Sequence, residues 1–221
     1  MRKIIPTRFS IDLPPNQLKN ALYAAYVAEV RLRHREMVLD DDTKSHIATA
    51  AEWLGDPKGK FGFMMSGLYG NGKTTLMLAM CNLINYLFDS VYSNERKSIR
   101  IKNAKDIARM AIDSNLRPDY EKLYYEDMLA IDEVGEEPAE LIHYGMVYTP
   151  IRDLLEERYA RQKLTIITTN LVENKKKQLF QITDHYGERV VDRLREMMKI
   201  LPFHNKSYRP DKKKEQRAEQ S

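Results

Sequence analysis

Gly67-Leu68-Tyr69-Gly70-Asn71-Gly72-Lys73-Thr74-Thr75 decides the fold of this 221-residue chain. It follows Phe61-Gly62-Phe63-Met64-Met65-Ser66, an apolar run that reads as a buried strand, and it precedes Leu76, Ala79, Met80, Leu83 and Leu87, which recur at helical spacing. Strand, glycine-rich turn and helix in that order make a phosphate-binding loop. Gly67, Gly70 and Gly72, with Asn71 between them, let backbone N–H groups close around a β-phosphate, and Thr75 completes the loop. Lys73 neutralises the β- and γ-oxygens, and the Thr74 hydroxyl can ligate Mg²⁺. The helix adds its positive N-terminal end. The chain is therefore expected to bind a nucleoside triphosphate.

Such a loop needs a carboxylate partner, and Met128-Leu129-Ala130-Ile131-Asp132-Glu133 supplies one: an apolar strand ending in two acids. Asp132 is placed to hold Mg²⁺ through its water shell, and Glu133 to deprotonate a water for in-line attack on the γ-phosphate. An Asp-Glu pair also ends strands at plain solvated turns. Leu164-Thr165-Ile166-Ile167-Thr168 reads as a further strand, closed by Thr169-Asn170. Asn170 can hydrogen-bond the attacking water, or simply cap a turn. With Ser98-Ile99-Arg100-Ile101-Lys102 as a strand, Ala104 to Ile112 as a helix and Tyr144 to Arg161 as a long helix, strands and helices alternate. That order predicts an α/β fold with a parallel sheet covered on both faces and ligands at the carboxyl ends of the strands.

Composition sets the outer limits. Hydrophobic residues make up 43% of the chain, enough for a real core. The single cysteine, Cys81, lies in the helix after the loop, which excludes a disulfide framework and a cysteine-rich zinc site. No run of 18 apolar residues occurs, and Met1 to Pro6 lacks the apolar core of a secretion signal, so a cytoplasmic protein with no membrane partner is expected. The formal charge is +4, of which +3 falls from Lys206 onward, in a tail that reads as basic and solvated. Ahead of the loop, Leu18, Ala21, Leu22, Ala25 and Tyr26 mark one helix and Ile47, Ala50, Ala51 and Leu54 a second, before Gly55-Asp56-Pro57-Lys58-Gly59 breaks the chain.

Taken together with Ile131-Asp132-Glu133-Val134-Gly135, Thr168-Thr169-Asn170-Leu171, Gly187 to Arg195 and Ser207-Tyr208-Arg209, the loop resembles the DnaC/IstB-type branch of the AAA+ ATPases, helicase loaders and transposition helper ATPases. The motifs run in the family order from about Trp53 to Arg209. The resemblance implies a P-loop NTPase core with a parallel five-stranded sheet flanked by helices, spanning residues 56–209, with a helical N-terminal extension at 1–55 and a basic tail at 210–221. It implies ATP and Mg²⁺ as cofactors, Lys73 and Thr74 as phosphate and metal contacts, Asp132 and Glu133 as metal and water carboxylates, and Asn170 as polar sensor. Arg193 would match an arginine finger acting on nucleotide held by a neighbouring copy, and Arg209 a second sensor for the γ-phosphate in its own subunit. The implied partners are other copies of the chain, single-stranded DNA, and a replicative helicase or a transposase. The segment before Trp53 carries no cysteine-bearing zinc module, and His204-Asn205 stands where the family often has a glycine. Too few residues follow Arg209 for a separate helical lid.

Ordinary ion pairs three residues apart, Arg189 with Asp192 or Arg193 with Glu196, also account for the charged 188–196 segment. Lys175-Lys176-Lys177 and the Tyr120, Tyr124, Tyr125 cluster are candidates for contact with single-stranded DNA. Two other functions compete with an oligomeric ATPase of DNA metabolism: a small-molecule phosphotransferase on the same loop, and an ATP-dependent switch that recruits a partner without turnover.

Overall fold

Pro15, at a position where a helix leaves its N–H groups without intrahelical partners, opens α1 (Pro15–Leu32). The structure, a computed structural model, describes residues 8–90, 98–174 and 179–208. Asp40 caps α2 (Asp41–Gly55) by accepting from the Thr43 N–H at 2.7 Å, while Asp41 and Asp42 complement the helix dipole. Next come β1 (Gly62–Gly67) and α3 (Lys73–Ser90), joined by the glycine-rich loop. They are followed by β2 (Arg100–Asn103), α4 (Ala104–Ile112), α5 (Arg117–Lys122) and β3 (Met128–Val134). A hairpin of β4 (Leu141–His143) and β5 (Met146–Tyr148) leads to α6 (Pro150–Ala160) and β6 (Leu164–Thr169). A short pair, β7 (Glu173–Asn174) and β8 (Leu179–Phe180), precedes α7 (Gln181–Tyr186), α8 (Glu188–Met197) and β9 (Met198–Phe203).

The main sheet has the order β2-β3-β6-β1-β9, and every neighbouring pair is parallel. Parallel strands with helices on both faces are covered on both, and β1 and β6 are accordingly buried along almost their whole length. Successive residues of β1 point to opposite sides. Phe63 and Met65 join Leu18, Leu22, Trp53 and Met80 in a core under α1, α2 and α3. Met64 joins Ile107, Leu129, Leu154 and Val190 in the core on the opposite face, under α4 to α8. The parallel sheet flanked by helices is thus as the strand–helix alternation predicted, and its five strands are as the resemblance implied. Cys81 is buried in the first core, and burial pushes its thiol well above the ordinary range.

Two elements differ from expectation. The segment expected to be helical from Tyr144 instead begins as the β4–β5 hairpin, and the helix starts only at Pro150. Tyr144 and Gly145 both take positive φ, 49° and 76°, the turn geometry that matches the twist of a two-residue hairpin. The edge strand β9 was the fifth strand with no local signal: it follows α8 without a Gly, Pro or polar break, and only its pairing with β1 makes it extended.

Candidate active site

The loop between β1 and α3 depends on backbone that other residues cannot supply. Gly67 has φ 148°, and a Cβ there would run into the Phe203 carbonyl. Gly72 has φ 99°, with the Tyr26 hydroxyl 2.9 Å from where a Cβ would stand. Lys73 is buried, and its ammonium donates to the carbonyls of Gly67 at 2.7 Å and Leu68 at 2.6 Å and to Asn71 Oδ1 at 3.1 Å. Asn71 in turn donates to the Phe203 carbonyl at 3.3 Å, so the end of β9 braces the loop. Asn205 braces it again by donating to the Asn71 carbonyl at 3.0 Å.

β3 and β1 are not neighbours; β6 lies between them. The gap is closed by hydroxyls. Thr74 Oγ1 donates to Asp132 Oδ1 at 3.0 Å, and Thr168 Oγ1 donates to the same oxygen. Thr168 also accepts from the Glu133 N–H at 2.9 Å. At that point the β3–β6 register shifts between Ile131 and Val134, and Glu133 has φ 59°, a left-handed conformation costly for a residue with a side chain. Asn103, at the end of β2 and capping α4, donates to Glu133 Oε2 at 2.9 Å. Four parallel strands therefore deliver their carboxyl ends to one place, and Asp132 and Glu133 stand beside the loop as expected. The Thr74 hydroxyl and Asp132 carboxylate are hard oxygen donors of the kind Mg²⁺ takes together with water and phosphate.

Asn170 is also at the site, where its amide donates to Glu136 Oε1 at 3.1 Å. The Tyr69 hydroxyl of the loop donates to the same oxygen, and Lys105 lies 3.7 Å from the other. Hydrogen bonds from Tyr69, then Asn170, hold the Glu136 carboxyl below its ordinary range.

A cavity of about 750 Å³ opens over the loop. One wall is polar, with Thr74, Glu133, Thr168 and Asn170. The facing wall comes from α1 and the connector to α2, with Tyr26, Val30, Arg33, Met37 and Val38, and from Tyr208. Burial pushes the Tyr26 phenol up to about 12. Tyr208 fastens this wall: its N–H donates to the Gly70 carbonyl at 2.8 Å, its hydroxyl donates to Asp40 Oδ2 at 2.7 Å and lies 2.9 Å from Thr43 Oγ1. Burial opposes ionisation of Asp40, but the bonds from Thr43 and Tyr208 outweigh it and leave its carboxyl below the ordinary range. Sequence reasoning gave the N-terminal helices no part in the site and did not single out Asn103. The one available signal for Asn103 was its place between a strand and a helix.

Arg193 lies on α8, outside the cavity lining, with Nη1 2.8 Å from Glu156 Oε2 of α6. Arg189 lies 3.9 Å from the other oxygen of Glu156, so both arginines reach across to α6 where pairing along their own helix was an expectation. Tyr120 is corrected as a DNA-contact candidate: it is buried, and its hydroxyl donates to the Pro150 carbonyl at 2.9 Å. Tyr125 is exposed. Arg209, Lys175 to Lys177 and the tail from 210 lie outside the described residues. Among the described residues no helix is long and apolar enough to cross a membrane.

No protein-family model matches the chain, and no curated protein sequence does. Solved structures do match. The DnaC helicase loader is 21% identical over 76% of this chain and 93% of that one, with a TM-score of 0.54. DnaI is 17% identical over 90% of this chain and 96% of that one, with a TM-score of 0.55. The replication initiator DnaA, bound to AMPPCP and single-stranded DNA, is 15% identical over 77% of this chain and 49% of that one, with a TM-score of 0.51. At these identities the likeness is one of fold. The chain shares with these structures the fold of a five-stranded parallel sheet flanked by helices.

Proposed function

We propose that this chain is an oligomeric ATPase of DNA metabolism that loads or regulates a replicative helicase. The observation that carries the reading is the meeting of Thr74, Asp132, Thr168 and Glu133 at the carboxyl ends of β1, β6 and β3 beside the loop. ATP lies in the cavity with its β-phosphate in the loop and its base against the α1 wall. Mg²⁺ held through Thr74 and Asp132 would neutralise the β- and γ-oxygens. Lys73 gives up its loop carbonyls for phosphate oxygens. Asn170 orients a water and Glu133 takes its proton as the water attacks the γ-phosphate in line, with ADP leaving. Asn103 fixes the Glu133 carboxylate for this work.

Arg193 serves as the finger for a neighbouring copy, for which it must leave Glu156. A finger supplied in trans contributes on the order of 10³ to 10⁵ in rate, so the isolated subunit is expected to be nearly inactive. Arg209 is the second sensor. The DnaA structure holds both AMPPCP and single-stranded DNA, which supports a nucleoside triphosphate and a DNA strand as the ligands here. A hydrolysing carboxylate beside an intact loop favours this over a phosphotransferase or a non-hydrolysing switch, while a transposition helper would use the same parts.

The test is ATP binding and phosphate release by wild type and Glu133→Gln, with affinity capture on the variant from the native host. Turnover is expected to fall by about 10³-fold with ATP binding kept, general-base work contributing that order, and a ring helicase is expected in the captured material. Unchanged turnover in Glu133→Gln would remove the assignment of the base. A transposase in its place would redirect the partner.

A further inference from the structure

Arg33 is the last residue of the α1 wall, at the C-cap of that helix, and it reaches across the cavity to the phosphate loop's own helix. Its Nη1 donates to Thr75 Oγ1 at 2.9 Å. No carboxylate among the described residues forms an ion pair with it within 4.0 Å. An exposed guanidinium bonded to a hydroxyl at a phosphate site has donors left for an anion.

The position of Thr75 says which anion. The loop's N–H groups cradle the α- and β-phosphates, and Thr74 faces the metal side through Asp132. Thr75 is one residue further along α3, about 100° around the helix, and its hydroxyl turns to α1. Apolar Val30 and Met37 on the same wall suit a base. A nucleotide running from Glu133 to that wall passes its α-phosphate between Thr75 and Arg33. A triphosphate also carries more negative charge than one lysine and one divalent ion neutralise.

We propose that Arg33 binds the α-phosphate of the nucleotide, so that ADP and ATP alike pin the end of α1 to the phosphate loop. The inference rests on the reading of the cavity as an ATP site. It makes the N-terminal helices responsive to whether nucleotide is bound, while the γ-phosphate is read elsewhere.

The test is titration of the full chain with Mg·ATP and Mg·ADP in wild type, Arg33→Ala and Arg33→Lys, with amide exchange at the last turn of α1. Arg33→Ala is expected to weaken both nucleotides by a similar factor, about tenfold or more, from loss of a charge-assisted hydrogen bond. Arg33→Lys is expected to recover part of it and guards against a variant that fails to fold. ADP is expected to slow exchange at residues 29–33 in wild type and not in Arg33→Ala. Weakening of ATP alone would assign Arg33 to the γ-phosphate and overturn the proposal, as would unchanged affinity for both. Wild type that binds neither nucleotide would take down the ATP-site reading and this proposal together, whereas normal wild-type binding with indifferent variants sinks only the role of Arg33.

Discussion

Lys73 and Arg158 are both buried cations held largely by backbone carbonyls, at opposite ends of the same sheet. Lys73 stands at the carboxyl end of β1 and borders the cavity. Arg158, on α6, stands at the amino end of β6 and is fully enclosed. Its Nη1 donates to the carbonyls of Leu123 at 2.7 Å and Glu126 at 2.9 Å, its Nη2 to Leu164 at 2.6 Å, and its Nε to Thr165 Oγ1 at 2.9 Å. Burial lowers its pKa to about 10. The difference lies in exchangeability. A planar fork with its donors committed to α5, the turn before β3 and the start of β6 is a structural knot, whereas an ammonium on loop carbonyls can trade them for an anion at little cost in geometry.

That contrast breaks first under Lys73→Ala. ATP affinity is expected to fall by at least about 100-fold, the loss of charge-assisted contacts to phosphate, with the melting temperature nearly unchanged. Titration calorimetry beside a thermal scan measures both, and a melting drop as large as that of the Arg158 variant would erase the distinction between the two cations. Arg158→Met is next: about 3 kcal/mol of stability is expected to go, because several buried acceptors lose their donor, while nucleotide affinity of the folded protein stays. Urea unfolding with and without ADP checks it; a wild-type midpoint would show that the knot is dispensable.

The smallest effect is in acid. The folded-state pKa of Glu136 is lowered from 4.5 by Tyr69 and Asn170, so the folded protein binds fewer protons there than the unfolded chain. Its stabilisation is therefore complete above 4.5 and is lost as pH falls through the lowered folded value. Between pH ~7 and ~3 wild type should lose more melting temperature than Glu136→Gln, and equal losses would mean that this carboxylate ties nothing down.

What the sequence made legible was local. Gly67 to Thr75 must adopt one backbone path to work, and Asp132-Glu133 ends a run too apolar to be anything but a central strand, so both could be placed from neighbours in the chain. The second wall of the cavity could not, because Tyr26 and Arg33 reach the loop only when α1 packs on α3, about forty residues away in sequence. Asn103 and Thr168 act on the carboxylates through strand order, which periodicity does not encode. The hairpin around Tyr144-Gly145 was lost among residues that also suit a helix, and β9 was hidden behind the helix that feeds it.

Residues 203–208 work as a splint. The Phe203 carbonyl, the Asn205 amide and the Tyr208 N–H and hydroxyl each clamp a different point, from Asn71 and Gly70 to Asp40. Anyone trimming the chain from its carboxyl side thus has a boundary to respect. A cut ahead of Phe203 would spare every side chain of the glycine-rich loop and still leave that loop unsupported, so a shortened protein that ignores ATP would report a missing brace and not a missing ligand pocket.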